Sequence, residues 1–197
     1  TVPVLTITDT KTSLDITKKS WDKKTVIEGT VFTLTPAEGS AFVSGKASIS
    51  LKTTANGVVS TEDSQENPTK GELIIGNTYI LREISTPEGY ILPGGEDEEQ
   101  KLTITFKVAD DGSIMTDSSS GYQISGVPAG EAGTYVSANG DGFTILNKPI
   151  QITLEKTDHL GNSGVKYLAG AVFKLTDVTA GTSKQLTAEN NGKIVLK

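Results

Sequence analysis

Three polar residues end short apolar alternations, and the two-residue period of a β-strand places each of them on the apolar face. The three patterns are Leu14-x-Ile16-x-Lys18, Tyr79-x-Leu81-x-Glu83 and Phe143-x-Ile145-x-Asn147. Taken singly, each residue also fits a solvated strand end, and an asparagine fits a turn. Taken together they point inward, where an unpaired lysine or glutamate costs on the order of several kcal/mol. We therefore expect these side chains to pair with one another or to react.

The rest of the sequence indicates the β-strands that would position these residues. Thr, Val and Ile recur, aromatic residues make up 6% of the chain, and there are 21 glycines. This composition suits pleated strands joined by turns. Alternation predicts strands at Ile49–Leu51, Tyr79–Leu81 and Leu102–Phe106, and turn dipeptides such as Asn56-Gly57 and Asp111-Gly112 separate such segments. Short strands between tight turns predict an all-β, immunoglobulin-like sandwich.

An internal repeat predicts that this architecture is used twice. The run from Leu14 to Leu34 has a counterpart from Ile152 to Leu175, with Lys18 matched by Lys156. Gly71–Ile75 is matched in the same way to Gly192–Leu196. We therefore predict tandem sandwiches: residues 14–149 as the first domain and 150–197 as the N-terminal half of a second, incomplete one. We expect residues 1–13 to be either a linker or a strand of a preceding module.

One segment carries a family resemblance. Tyr79-Ile-Leu81-Arg-Glu83-Ile-Ser-Thr-Pro87-Glu-Gly89-Tyr90 resembles the E-box of CnaB-type domains, the B-repeat and pilin modules of Gram-positive bacterial surface proteins. The segments that end at Lys18 and at Asn147 resemble the opening and closing strands of that family. The resemblance covers the whole first copy and the first half of the second.

The resemblance implies an intramolecular isopeptide bond between Lys18 and Asn147, assisted by Glu83 as a protonated acid. Burial disfavours both charged forms, so the lysine becomes an amine and the glutamate a neutral acid. The amine would then attack the carboxamide carbon, while Glu83 donates to the carbonyl oxygen and helps move protons as ammonia leaves. In the second copy Lys156 is the matching lysine, and its partners are expected to lie outside the chain. The apolar surround of this site could include Phe32, Phe106 and Phe143. The alternative is that these phenylalanines are ordinary core residues.

Composition excludes several other functions. The net charge is −6, without a basic stripe, which argues against nucleic-acid binding. No apolar run approaches membrane-spanning length, so no membrane insertion is expected. The chain has no cysteine and one histidine, His159, so no metal site, cofactor or hydrolase constellation is expected. The acidic run Glu96–Glu99 reads as a solvated loop, and Trp21 as a packing residue rather than a ligand anchor.

The sequence thus predicts a structural module of a cell-wall-attached pilin or adhesin stalk, extracellular and without enzymatic turnover. Its expected partners are other subunits of a surface fibre. The alternative is an adhesin module that binds host glycan or matrix through the long region from Asp110 to Gly142. Backbone pilin, accessory pilin and non-pilus adhesin remain open.

Overall fold

The computed structural model describes residues 12–61, 71–114, 121–139, 142–158 and 167–196. These residues form β-strands joined by turns, with one helical turn, so the prediction of an all-β fold is confirmed. The strands are β1 (Asp15–Ser20), β2 (Val31–Pro36), β3 (Ile49–Lys52), β4 (Val58–Ser60), β5 (Thr78–Ser85), β6 (Thr103–Lys107), β7 (Tyr122–Ser125), β8 (Val136–Ala138), β9 (Gly142–Asn147), β10 (Ile152–Glu155), β11 (Val172–Asp177), β12 (Thr182–Thr187) and β13 (Lys193–Leu196); the helical turn is α1 (Ala132–Tyr135). The described residues include no helix with the length and apolar character needed to cross a bilayer.

The chain divides into two compact units, Thr1–Pro149 and Ile150–Lys197. In the first unit, one sheet has the strand order β4-β1-β9-β8 and the other has the order β3-β2-β5-β6-β7. Most neighbouring strands are antiparallel, but the central pair β1 and β9 is parallel. The first and last of the strands described in this unit therefore lie side by side.

The alternation of the sequence accounts for the core between the two sheets. In β5, the residues Tyr79, Leu81 and Glu83 are buried, while the residues between them are partly exposed. The same period buries Phe143 and Ile145 in β9, and the two sheets share one apolar core. Its rings include Phe106 of one sheet and Phe143 of the other, 5.8 Å apart between centroids in an edge-to-face contact. Such contacts stabilise a core beyond the area they bury.

The second unit consists of two antiparallel strand pairs, β10 with β13 and β11 with β12. Among its described residues, Leu186, Ala188 and Ile194 form a small buried cluster. Pairing of β10 with β13 reproduces the pairing of β1 with β4 in the first unit.

This pairing corrects one expectation from the repeat. Lys18 N donates to Gly57 O, and Lys156 N donates to Gly192 O in the same way. The counterpart of the strand after Gly192 is therefore the strand after Gly57, and the predicted match to Gly71–Ile75 is wrong. Gly57 and Gly71 each begin a run that contains aliphatic residues, and sequence alone does not show which run pairs with the opening strand.

Candidate cross-link site

Lys18 lies in the core-facing row of β1. Its neighbours in that row, Ile16 and Ser20, are buried, and Lys18 itself is 0% exposed. The register pairs Lys18 with Ile145 of β9, so the lysine stem packs in the apolar interior. Burial of an entire lysine side chain is rare in proteins and demands a partner for the ammonium group.

Glu83 faces Lys18 from the opposite sheet. It lies near the end of β5, where it is paired with Phe32 of β2, and it is 1% exposed. Its backbone N–H donates to Leu102 O at 3.0 Å. This bond holds the other edge of β5 to the residue that precedes β6. The carboxyl group is thus held in the core by a strand that is paired along both edges.

Asn147 is the last residue of β9 and is 0% exposed. The parallel register pairs Asn147 with Ser20, two residues beyond Lys18 on the same face of β1. Its backbone oxygen accepts a hydrogen bond from Trp21 N at 2.9 Å. The strand end that carries the asparagine is therefore anchored to the end of β1.

The three predicted side chains meet in a closed triangle of hydrogen bonds. Lys18 Nζ donates to Glu83 Oε2 at 2.9 Å and to Asn147 Oδ1 at 2.5 Å. Asn147 Nδ2 donates to Glu83 Oε1 at 2.6 Å. Because a C=O bond is about 1.2 Å long, the carboxamide carbon lies within about 4 Å of the lysine nitrogen. Nucleophile, electrophile and carboxyl group are therefore adjacent in a site closed to solvent.

Burial lowers the pKa of the Lys18 ammonium below its ordinary value, although the charge of Glu83 and its hydrogen bond act in the opposite direction. The Phe32 ring lies 5.8 Å from Lys18 Nζ and contributes to the apolar surround. Phe32 therefore lines the site, whereas Phe106 and Phe143 pack against each other in the core. An apolar surround favours the neutral amine, which is the nucleophilic form of lysine.

One residue of the site was missed by the sequence analysis. Thr86 follows the end of β5, and its Oγ1 accepts the second hydrogen bond of Asn147 Nδ2, at 2.9 Å. Strand alternation does not identify this residue, because the chain has left the strand at this position. The only available signal was its place three residues after Glu83 in the segment that resembles the E-box.

A glycine packs closely against the backbone of Lys18. Gly57 has a positive φ of 68°, and its O accepts the Lys18 N–H at 2.6 Å. A Cβ added at Gly57 would lie 2.7 Å from Lys18 O and 2.8 Å from Val26 Cβ. The turn between β3 and β4 can approach the lysine this closely only because position 57 has no side chain.

The other residues singled out by the sequence lie elsewhere. Lys156 follows β10 in the second unit and is exposed. Trp21 packs edge-to-face on Tyr135, 5.0 Å between centroids, and Lys148 Nζ lies 4.5 Å from the Trp21 ring. His159 is outside the described residues.

The acidic run Glu96–Glu99 is exposed. Within it, Glu98 contacts Lys101 and lies 3.9 Å from Arg82. No group of three metal-ligating side chains occurs in the part of the chain that the structure describes. The region from Asp110 to Gly142 contains β7, α1 and β8, and its proposed ligand-binding role stays a prediction.

Residues 12–121 match the family described as SpaA, prealbumin-like fold domain. This match spans more than half of the chain. The chain belongs to the SpaA prealbumin-like fold family. The matched region contains Lys18 and Glu83, and Asn147 lies beyond it.

Among curated proteins, no relative of this SpaA-type chain matches. Solved structures give partial similarities. The Bacillus anthracis TIE protein is 19% identical over 94% of this chain and 26% of its own, with a TM-score of 0.42. The C-terminal fragment of the pilus adhesin SpaC from Lactobacillus rhamnosus GG is 20% identical over 72% of this chain and 46% of its own, with a TM-score of 0.44. The pilus adhesin RrgA from Streptococcus pneumoniae is 18% identical over 71% and 15%, with a TM-score of 0.45. The SpaA-type chain thus spans less than half the length of each of these proteins.

Proposed function

We propose that the first unit is a self-locking structural module, in which Lys18 Nζ forms an isopeptide bond to Asn147 Cγ and ammonia is released. The observation that carries this proposal is the triangle of contacts among Lys18, Glu83 and Asn147, all 0–1% exposed. An ion pair needs only Lys18 and Glu83, whereas Asn147 adds a carboxamide carbon within about 4 Å of the lysine nitrogen. A reactive triad uses all three groups.

Glu83 is placed to move the proton that the reaction must transfer. Its Oε2 accepts from Lys18 Nζ, and its Oε1 accepts from Asn147 Nδ2. A proton taken from the attacking nitrogen through one oxygen can therefore be delivered to the leaving nitrogen through the other. This differs from the expectation that Glu83 donates to the carbonyl oxygen, because here the amide oxygen faces Lys18 and the amide nitrogen faces the carboxyl group. Once Glu83 holds the proton taken from the lysine nitrogen, it acts as the acid, but toward the leaving group.

The atoms balance without a co-reactant. The bond from Nζ to Cγ forms, the bond from Cγ to Nδ2 breaks, and Nδ2 leaves as ammonia with the proton carried by Glu83. Nucleophile and electrophile belong to the same chain and are consumed together. The module therefore completes one reaction and has no turnover.

The bond would serve a load-bearing role. It would join adjacent strands at the two ends of the unit and bypass the residues between them. The chain contains no cysteine, so a disulfide is not available for this purpose. Together with the E-box resemblance, this supports a stalk module of a pilin or adhesin on a Gram-positive cell surface, with other subunits of the fibre as partners.

Intact-mass spectrometry tests the proposal directly. The wild-type protein should weigh less than its sequence requires by one ammonia, and Lys18→Ala and Glu83→Ala should have their full calculated masses. Lys19→Ala is the matched control, because Lys19 is the next residue of β1 and lies on its opposite face. It should lose ammonia as the wild type does. A wild-type chain at full mass would refute the cross-link.

A further inference from the structure

The leaving nitrogen of the proposed reaction has two partners. Asn147 Nδ2 donates to Glu83 Oε1 at 2.6 Å and to Thr86 Oγ1 at 2.9 Å. A carboxamide nitrogen has two N–H groups, so both are used. Rotation of the amide would bring its oxygen against Glu83 and would break both bonds.

We propose that Thr86 is a catalytic residue of this reaction, which holds the leaving nitrogen against Glu83 and receives ammonia as it departs. The proposal rests on the function proposed above and adds a residue to it. Thr86 contacts Asn147 Nδ2 directly, so its role is toward a reacting atom.

The chemistry of the leaving group requires such a partner. When Lys18 Nζ adds to Asn147 Cγ, Nδ2 loses its conjugation with the carbonyl and becomes basic. It then accepts the proton from Glu83, and the bond between Cγ and Nδ2 breaks. Throughout these steps the Thr86 hydroxyl accepts an N–H of the same nitrogen, so the nitrogen stays beside Glu83 while the lone pair freed by the addition turns toward the acid. Correct orientation of a leaving group is a recognised source of rate acceleration.

The sequence holds Thr86 in place for this role. It precedes Pro87, and a residue before proline is restricted to extended backbone conformations. The strand β5 ends one residue earlier, at Ser85. The hydroxyl is therefore carried by a short, stiff segment anchored to the strand that bears Glu83.

Exposure distinguishes Thr86 from the other three residues. Lys18, Glu83 and Asn147 are closed to solvent, whereas Thr86 is partly exposed. Because Thr86 is the partly exposed residue of the four, we expect released ammonia to leave the site on its side. Escape by this side would leave the bond without its reverse reactant and make the reaction irreversible.

The rate of ammonia loss tests the role of Thr86. Full-length chains made by pulse-labelled cell-free synthesis would be sampled over time. The fraction that has not yet formed the cross-link would be measured by intact mass. Thr86→Val keeps the shape of the side chain but removes the acceptor. We expect it to slow bond formation roughly tenfold, about 1.4 kcal/mol in the barrier. Thr86→Ser keeps the hydroxyl and should retain the wild-type rate.

A matched control is Thr35→Val, which removes a partly buried hydroxyl from neighbouring β2, bonded to Ile80 O and not to the site. It should react at the wild-type rate. Circular dichroism would verify that each variant folds. If Thr86→Val does not fold, Thr86→Ala replaces it in the comparison with Thr86→Ser.

The outcomes separate the two proposals. A wild-type chain that keeps its full mass overturns both the cross-link and the role of Thr86. A wild type that reacts, with folded Thr86→Val or Thr86→Ala reacting equally fast, overturns only the role of Thr86. Slowing of Thr86→Ser or Thr35→Val to the same extent would also overturn it, since the acceptor would not be the cause.

Discussion

Lys18 and Asn147 are separated by 129 positions in the sequence, yet Lys18 Nζ lies 2.5 Å from Asn147 Oδ1. The residues belong to β1 and β9, the first and last strands among the described residues of the first unit, which run parallel as neighbours. Tension applied to the two ends of this unit would shear these two strands past each other. A covalent bond between them would therefore lie directly in the path of the load.

Thermodynamic stability should depend on Lys18 far more than on its neighbour. In the chain-entropy picture, a cross-link that closes a loop of this length stabilises the fold by roughly 4–5 kcal/mol. Lys18→Ala removes the bond and also leaves the Glu83 carboxyl group buried without the nitrogen that it contacts. We expect its free energy of unfolding, measured by denaturant titration, to fall by at least this amount. Lys19→Ala should change it by no more than about 0.5 kcal/mol, as is usual for surface substitutions. Equal stability of Lys18→Ala and the wild type would contradict the prediction.

Extension under force should reveal the bond mechanically. In single-molecule pulling on the first unit, the wild type should release none of the chain between the cross-linked residues, which are 129 positions apart. Asn147→Ala, which cannot form the bond, should unfold and release up to roughly 430–460 Å of chain. A wild-type unit that extends by the same length as Asn147→Ala would show that no covalent bond carries the load.

The sequence was sufficient to predict several of the strands and the three inward polar residues, because alternation within a strand is a local property. Lys18, Glu83 and Asn147 were found in this way, from apolar neighbours two positions away. Thr86 was not, since it lies beyond the end of β5, where alternation no longer determines the facing of a side chain. Gly57 contacts Lys18 from a turn that is distant in the sequence. No local sequence pattern predicts this contact.

Gly57 should be needed for efficient cross-linking. Gly57→Ala would place a Cβ 2.7 Å from Lys18 O, in a backbone conformation that non-glycine residues avoid. Gly39→Ala is the matched control, because Gly39 has a similar φ of 77° but no atom within 4 Å of an added Cβ. Both variants carry the positive-φ cost of about 1–2 kcal/mol. Only Gly57→Ala adds a steric cost of about 1–3 kcal/mol and shifts the lysine.

Two measurements separate these glycine variants. Intact mass should show that a fraction of Gly57→Ala chains remains without the cross-link, whereas Gly39→Ala chains should all form it. Each substitution would also be combined with Asn147→Ala, which prevents the cross-link. Denaturant titration of these chains would then give the effect of each glycine substitution on the free energy of unfolding. Complete and equally fast cross-linking in both variants would mean that the turn does not position Lys18.

The pH dependence of bond formation should reflect the lowered pKa of Lys18. In the unfolded chain the lysine loses its proton near its ordinary value of 10.5, and in the folded, unreacted chain it does so at lower pH because burial disfavours the ammonium. Between these two values the folded state binds fewer protons at this site, so the neutral amine is available there. We expect the rate of ammonia loss to rise with pH and to level off below 10.5. Acidification through the lowered pKa should restore the ammonium and stop the reaction.

A pair of ring deletions tests whether burial is the cause of this profile. Phe32→Ala removes the ring 5.8 Å from Lys18 Nζ and admits water to the amine, so the rate profile should move to higher pH. Phe42→Ala removes another buried ring, which stacks on Tyr79 elsewhere in the core. It should not change the pH dependence of the rate. Both variants lose about 3–5 kcal/mol of stability, so the rates are compared at a temperature where each is folded. A wild-type rate that still rises tenfold per unit up to about pH 10 would show that the amine behaves as an exposed lysine.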